Sequence, residues 1–293
     1  MSSRLQQTLA RPAAVTGIGF VTGADVTVRM FPAPAGQGVT FLRTDVSEKV
    51  IIPALVEYTV PRSRRTALEH QGVAIELIEH LMAALAGLQI DNCRIELNGP
   101  EVPGCDGSSR VFVDCLLNAG LQVLDVPREV WAISWPVALA PTEADVAMLT
   151  RPLPQPGLRI TYELDYGPDS PIPAQSQTAD ITPESFVREL AFARTFVLEH
   201  EARAFLEQGL GQRLTYRDLL VYGPDGVIDN ELRAVNECAR HKILDCVGDL
   251  ALLGCDLSGH VVCRRTGHRH NADLVRAIQH QRHAAAGRLR DAA

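Results

Sequence analysis

A chain of 293 residues with 46% hydrophobic and 22% charged content lies in the ordinary globular range, long enough for two units of roughly 100–150 residues each. Its formal net charge of -7 excludes a chain-wide electrostatic grip on nucleic acid, which needs a basic surface, so any phosphate contact has to be local. The opening stretch Met1-Ser2-Ser3-Arg4-Leu5-Gln6-Gln7 lacks the apolar core of a secretory signal, and nowhere do roughly 18 uncharged apolar residues run together, so the expectation is a cytoplasmic protein without stable membrane insertion.

In chain order, Val26, Val28 and Met30 alternate with Thr27 and Arg29, which predicts a strand with one buried face. Leu77, Leu81, Ala84, Leu85 and Leu88 follow the spacing of an amphipathic helix that ends near Gly87. Cys93, Ile95 and Leu97 alternate with Arg94 and Glu96 as a further strand. A second helix is predicted after Asp106-Gly107-Ser108, burying Val111, Cys115 and Leu116 and stopping at Gly120. After Leu124-Asp125-Val126-Pro127-Arg128 the pattern restarts with strand-like Val130-Trp131-Ala132-Ile133-Ser134, which places a boundary near Asp125 to Arg128, between units 1-126 and 127-293. Thr182 and Pro183 suit the N-cap and first turn of a helix through Leu190, Glu237 to Leu253 is a long helical stretch closed by Gly254, and His260 to Arg264 reads as a strand.

Two segments share one plan: a helix carrying Glu79-His80, then a glycine and a strand, and later a helix carrying His241 and Asp245, then a glycine and a strand. The expected fold is α+β, with two similar α+β domains, each a sheet packed on helices. The seven cysteines (Cys93, Cys105, Cys115, Cys238, Cys246, Cys255 and Cys263) are odd in number and never spaced C-x-x-C, so neither a disulfide framework nor a thiolate metal site is indicated. They read as small core residues.

Three polar groups carry chemistry. In Arg240-His241-Lys242-Ile243-Leu244-Asp245-Cys246-Val247-Gly248-Asp249, helical periodicity puts His241, Asp245 and Asp249 on one slowly drifting stripe. That stripe is either a two-ligand metal unit or a solvated face in which His241 and Lys242 pair with carboxylates one turn away. Glu79-His80 interrupts the apolar run Leu77, Ile78, Leu81, Met82; it is either a metal-binding histidine beside a carboxylate base or a couple at the edge of the core. His268, in Arg265-Thr266-Gly267-His268-Arg269-His270, follows a glycine turn that either projects it into a cleft or leaves it on the surface.

Together these motifs resemble the UDP-3-O-acyl-N-acetylglucosamine deacetylases, the zinc enzymes of lipid A synthesis. The matches run in family order over nearly the whole chain: Thr16-Gly17-Ile18-Gly19, Phe31-Pro32-Ala33-Pro34, Arg43-Thr44-Asp45, Glu79-His80-Leu81-Met82-Ala83-Ala84-Leu85-Ala86-Gly87-Leu88, Ile90-Asp91-Asn92, Pro103 with Asp106-Gly107-Ser108, Ala193-Arg194-Thr195-Phe196, Arg240 to Asp245 with Gly248-Asp249-Leu250, and Gly267-His268. The resemblance implies that the helices of the two domains are sandwiched between the sheets and that His80, His241 and Asp245 are zinc ligands with a fourth position left for water. It further implies Glu79 as general base, His268 as the cation that protonates the departing amine, Asp249 as the carboxylate orienting His268, and Thr195 as a donor to the oxyanion. For substrate it implies Phe196 beside the sugar, Lys242 and Arg265 near the diphosphate, Asp165 and Tyr166 near the uridine, and an acyl channel within Val197 to Val221, where Leu198, Ala202, Phe205 and Leu206 either line it or are ordinary helix packing.

Two departures from the family pattern stand out. Val21 replaces a usual histidine, and Gly209-Leu210-Gly211-Gln212-Arg213-Leu214 lacks a paired-glycine loop. The expected partner is a UDP-linked acylated amino sugar, the expected cofactor zinc, and the expected state a monomer. Alternatives are a zinc amidase for another acylated amino sugar, a non-catalytic nucleotide-sugar-binding homologue, or a structural zinc, which would need four protein ligands.

Overall fold

The structure is a computed structural model that describes residues 4–139 and 145–291; the Met1 to Ser3 part of the leader reading lies outside them. Alternation does set the strands. In Asp25–Pro32 the side chains of Val26, Val28 and Met30 are fully buried, and in Cys93–Leu97 so are Cys93, Ile95 and Leu97, while Arg29 and Arg94 face outward.

Two five-stranded arrangements repeat one topology. The first runs Ala13–Ile18, Asp25–Pro32, Cys93–Leu97, Val39–Arg43, Ile51–Pro53, antiparallel throughout except for the parallel pair Val39–Arg43 with Cys93–Leu97. The second runs Val137–Ala138, Ala147–Arg151, Asp256–Arg264, Leu158–Leu164, Gln175–Ile181, again with one parallel pair, Leu158–Leu164 with Asp256–Arg264. Val130–Ala132 adds a parallel strand to Asp256–Arg264. In each unit the last strand in sequence enters the middle of the sheet, and a helix precedes it: Glu79–Gly87 in the first and Glu237–Leu250 in the second. In each, a small three-stranded sheet is inserted just ahead of that helix, Thr59–Val60 to Val73–Glu76 in one and Phe196–Leu198 to Gly226–Val227 in the other.

The two helices pack on each other in the middle of one continuous apolar core drawn from both sheets. The Glu79–Gly87 helix is therefore buried on nearly all sides rather than amphipathic, and Leu77 stands outside it. Gly248 is the contact point: a Cβ there would sit 2.2 Å from the Glu79 carbonyl oxygen and 3.1 Å from the Ala83 backbone nitrogen. Gly248→Ala is accordingly expected to destabilise the fold by about 1–3 kcal/mol, as overpacking does, read as a lower thermal midpoint; an unchanged midpoint would show that the helices part freely.

The second predicted helix, Arg110–Ala119, ends at Gly120 and buries Leu116 as expected, but its inward face is rotated away from Val111 and Cys115. Phe112, Val113, Leu116 and Ala119 are buried, whereas Val111 is 39% exposed and Cys115 is only partly covered, because the largest apolar group, Phe112, takes the core position. The segment Leu121–Pro127 is itself a strand, antiparallel to Leu5–Leu9. Beside it Arg4 and Arg128 converge on Asp91 and Asp256 at 2.6–3.1 Å, tying the first helix-strand turn to the last strand of the second sheet. Thr182 caps Pro183–Ser185 through a reciprocal bond with Ser185, and the turn then widens to a π-helix over Phe186–Leu190. Among the described residues no helix is long and apolar enough to cross a membrane.

Candidate metal centre and active-site cavity

Glu79 and His80 are the first two residues of the Glu79–Gly87 helix, His241, Lys242, Asp245 and Asp249 lie on successive turns of Glu237–Leu250, and His268 opens the helix His268–Asp291. Just ahead of the first and third of these helices, Leu77 (φ 58°) and Arg265 (φ 54°) adopt the left-handed conformation that non-glycine residues seldom take, turning the chain sharply into the site. The solvated-face and core-edge readings fail on burial: Glu79, His80, His241, Asp245 and Asp249 are each at most 4% exposed.

Buried polar atoms are normally hydrogen-bonded, yet Asp245 Oδ1 has no partner. It lies 3.4 Å from His241 Nε2 and 3.7 Å from His80 Nε2, and the three ligand atoms all fall within 4.8 Å of one another. A tetrahedral cation with bonds of about 2.0–2.1 Å needs ligand separations of about 3.4 Å, so the donor set fits. His241 Nδ1 faces the Ala193 carbonyl oxygen at 3.1 Å; a carbonyl only accepts, so the proton sits on Nδ1 and the Nε2 lone pair is free. Among the described residues this is the one such group, with three protein ligands rather than the four of a structural zinc site.

The electrostatics follow from burial and close charges. Burial pushes His80 down to about 3 and lowers His241 as well, so both imidazoles are neutral. Burial opposes the Asp245 charge, but the charged neighbours, Lys242 among them, outweigh it and hold the carboxyl below its usual range. Lys242 Nζ donates to Asp245 Oδ2 at 2.7 Å. Burial pushes the Glu79 carboxyl up to about 7 against the opposing pull of His268. Glu79 Oε2 accepts the Thr66 backbone N–H at 3.0 Å. For His268, burial disfavours the cation, but Asp249 and then Asp245 overcome it and raise the imidazole to about 9; its Nδ1 donates to Asp249 Oδ2 at 2.9 Å.

Glu79, His80, His241, Asp245 and His268 open into one cavity of about 1190 Å³, whose wall also includes Thr195, Phe196, Asp165, Tyr166, Lys242 and Arg265. Asp249 does not reach the cavity wall; it sits behind His268. The Phe196 ring stands edge-on between the rings of Tyr166 (6.2 Å) and His241 (6.1 Å). Asp165 Oδ1 accepts the Gly167 N–H at 2.8 Å within its own loop, and Arg265 Nη1 lies 3.9 Å from Asp145 Oδ2. The wall also includes the apolar side chains of Ala202, Phe205, Leu206, Leu210 and Leu214. Leu198 is the exception among the expected channel residues, because it packs on the core instead. The helix Glu199–Glu207 packs on Phe196–Leu198 and Leu220–Gly223, with Ala202 and Phe205 half-buried and none of its residues fully buried. Both departures noted in the sequence, Val21 and the loop around Gly211, fall on this wall.

Several contributors escaped the sequence reading. Arg194 and Glu237, both almost fully buried, pair at 2.8 Å and 3.1 Å and tie the segment carrying Thr195 and Phe196 to the first turn of the helix carrying His241. Arg194 stood in a quoted motif but carried no role. Thr66 and Asn271 both hydrogen-bond Asp249, and nothing in their local sequence marks them out.

Comparison with known proteins gives a consistent result. The family described as "LpxC: UDP-3-O-acyl N-acetylglycosamine deacetylase" matches residues 6–280. Relatives named UDP-3-O-acyl-N-acetylglucosamine deacetylase include one from Myxococcus xanthus, 38% identical over 279 residues covering 94% of this chain and 87% of the relative. Another, from Solibacter usitatus, is 36% identical over 94% of this chain and 91% of its own length, and one from Syntrophotalea carbinolica is 37% identical over 93% and 87%.

Proposed function

The chain belongs to the UDP-3-O-acyl N-acetylglycosamine deacetylase family, and from that premise we propose that it hydrolyses the acetamide of UDP-3-O-acyl-N-acetylglucosamine, giving UDP-3-O-acyl-glucosamine and acetate in lipid A biosynthesis, with zinc as its metal. The observation that carries this reading is the unpartnered Asp245 Oδ1, set beside two neutral imidazoles between Glu79 and His268 in one cavity.

His80 Nε2, His241 Nε2 and Asp245 Oδ1 would hold the ion, which when bound supplies Lewis acidity toward a water and the acetamide carbonyl. Glu79, with Oε2 engaged by Thr66, takes the water proton at Oε1. Thr195 donates to the carbonyl oxygen as negative charge develops there. As the carbon–nitrogen bond breaks, His268 gives the proton on Nε2 to the departing sugar amine, while Asp249 holds its Nδ1. Lys242 keeps Asp245 ionised, and its charge, with that of Arg265, meets the diphosphate. Phe196 flanks the sugar, Asp165 and Tyr166 the uridine, and the apolar side chains of the wall take the acyl chain. One chain supplies every one of these groups, which supports a monomer as the working form, acting in the cytoplasm.

The direct test is acetate release from UDP-3-O-acyl-N-acetylglucosamine by the purified protein. One acetate per substrate consumed is expected; a substrate left intact by zinc-loaded protein would overturn the reading.

A bell-shaped pH profile follows from the two shifted groups. kcat/KM should rise through about pH 7 as Glu79 loses its proton and fall through about pH 9 as His268 loses its own. Asp249→Asn removes the anion that favours the imidazolium, so the alkaline limb should move to lower pH. An alkaline limb that stays in place would detach Asp249 from His268.

A further inference from the structure

We propose that Thr66 is a positioning residue that sets the general base and the general acid relative to each other; this deepens, and rests on, the deacetylase reading. Thr66 is 6% exposed and immediately precedes the strand Ala67–His70, part of the sheet inserted ahead of the Glu79–Gly87 helix. Its backbone N–H donates to Glu79 Oε2 at 3.0 Å. Its hydroxyl donates to Asp249 Oδ1 at 2.6 Å, because an ionised carboxylate only accepts. A lone pair of the same oxygen then faces the Nδ1 proton of His268 at 3.1 Å, the proton that also points to Asp249 Oδ2 at 2.9 Å. Asn271 Nδ2 completes the set by donating to Asp249 Oδ2 at 2.8 Å.

The result is a closed network. Both oxygens of Asp249 are fixed, Nδ1 of His268 is held by two acceptors, and Nε2 is the ring atom left for the substrate. The residue that fixes the acid by its side chain fixes the base by its main chain. These two roles are separable, since only the hydroxyl is lost in a side-chain substitution. Loss of an outer hydrogen-bond partner of this type typically costs about 10–100-fold in activity.

The experiment is steady-state deacetylation by zinc-loaded protein carrying Thr66→Val, which keeps the shape and removes the hydroxyl, with Thr66→Ser as the rescue. Thr66→Val is expected to lower kcat by about 10–100-fold with KM and bound zinc unchanged, and Thr66→Ser to recover most of that loss. Combined with His268→Ala, Thr66→Val should cost nothing further, because the hydroxyl acts through that imidazole. A Thr66→Val enzyme as fast as the unsubstituted protein, an effect carried by KM or by zinc loss, failure of serine to rescue, or an undiminished effect without His268 would each overturn the proposal. If the unsubstituted protein releases no acetate, the deacetylase reading fails instead, before the variants are compared.

Discussion

Glu79→Gln is expected to lower kcat by about 10²–10⁴-fold, the usual contribution of a positioned proton-transfer group, while KM and the bound metal stay as they were. The amide has the size of the carboxylate, and its oxygen can still accept the Thr66 N–H, so the helix start should be undisturbed. What is lost is the basic lone pair. Burial has already brought the carboxyl to about 7, matched to a proton transfer near neutral pH. Parallel metal analysis and turnover measurements check this; a Glu79→Gln variant that keeps full turnover would remove Glu79 from the mechanism.

His241→Ala should act at a different point. It removes one of three ligand atoms and breaks the bond to the Ala193 carbonyl, so bound zinc should be lost and activity should fall at least about 10³-fold, the rate equivalent of several kcal/mol of charge stabilisation. Chelation of the unsubstituted protein should give the same inactivity, reversed by added zinc. In both cases the fold should persist, since the apolar core of both sheets is continuous without the ion. Circular dichroism and thermal melting separate this from a structural zinc: unfolding on chelation would favour the structural role.

Much of this architecture was legible from periodicity. Val26, Val28 and Met30, or Cys93, Ile95 and Leu97, reveal a strand by alternation alone, because a half-buried strand has only one way to hide three apolar groups. The helix Arg110–Ala119 was placed correctly and Leu116 is buried as expected, but Val111 and Cys115 are not. Val111 and Phe112 are apolar neighbours, and contacts with the strand Ala13–Ile18 and the helix Glu79–Gly87 decide which turns inward. The stripe His241, Asp245, Asp249 was visible as geometry, but its burial was not. That burial depends on Gly248 meeting the backbone of Glu79, a contact between distant segments that no local pattern encodes.

The same limit explains Thr66. It lies 183 residues from Asp249 in sequence, and a threonine before a strand looks like any other. Arg194 and Glu237 were hidden for a related reason: each reads as an ordinary surface charge until the fold pairs them away from water. The repeated topology of the two sheets has a functional consequence. It brings two equivalent helices together at the centre, so one contributes Glu79 and His80 and the other His241 and Asp245 to a site neither could build alone.

The most direct measurement is anomalous diffraction at the zinc edge from crystals of the zinc-loaded protein. A single strong peak is expected within about 2.0–2.2 Å of His80 Nε2, His241 Nε2 and Asp245 Oδ1, with no fourth protein ligand and with Glu79 beside the remaining position. A peak elsewhere, or a fourth side chain closing the coordination, would contradict the account.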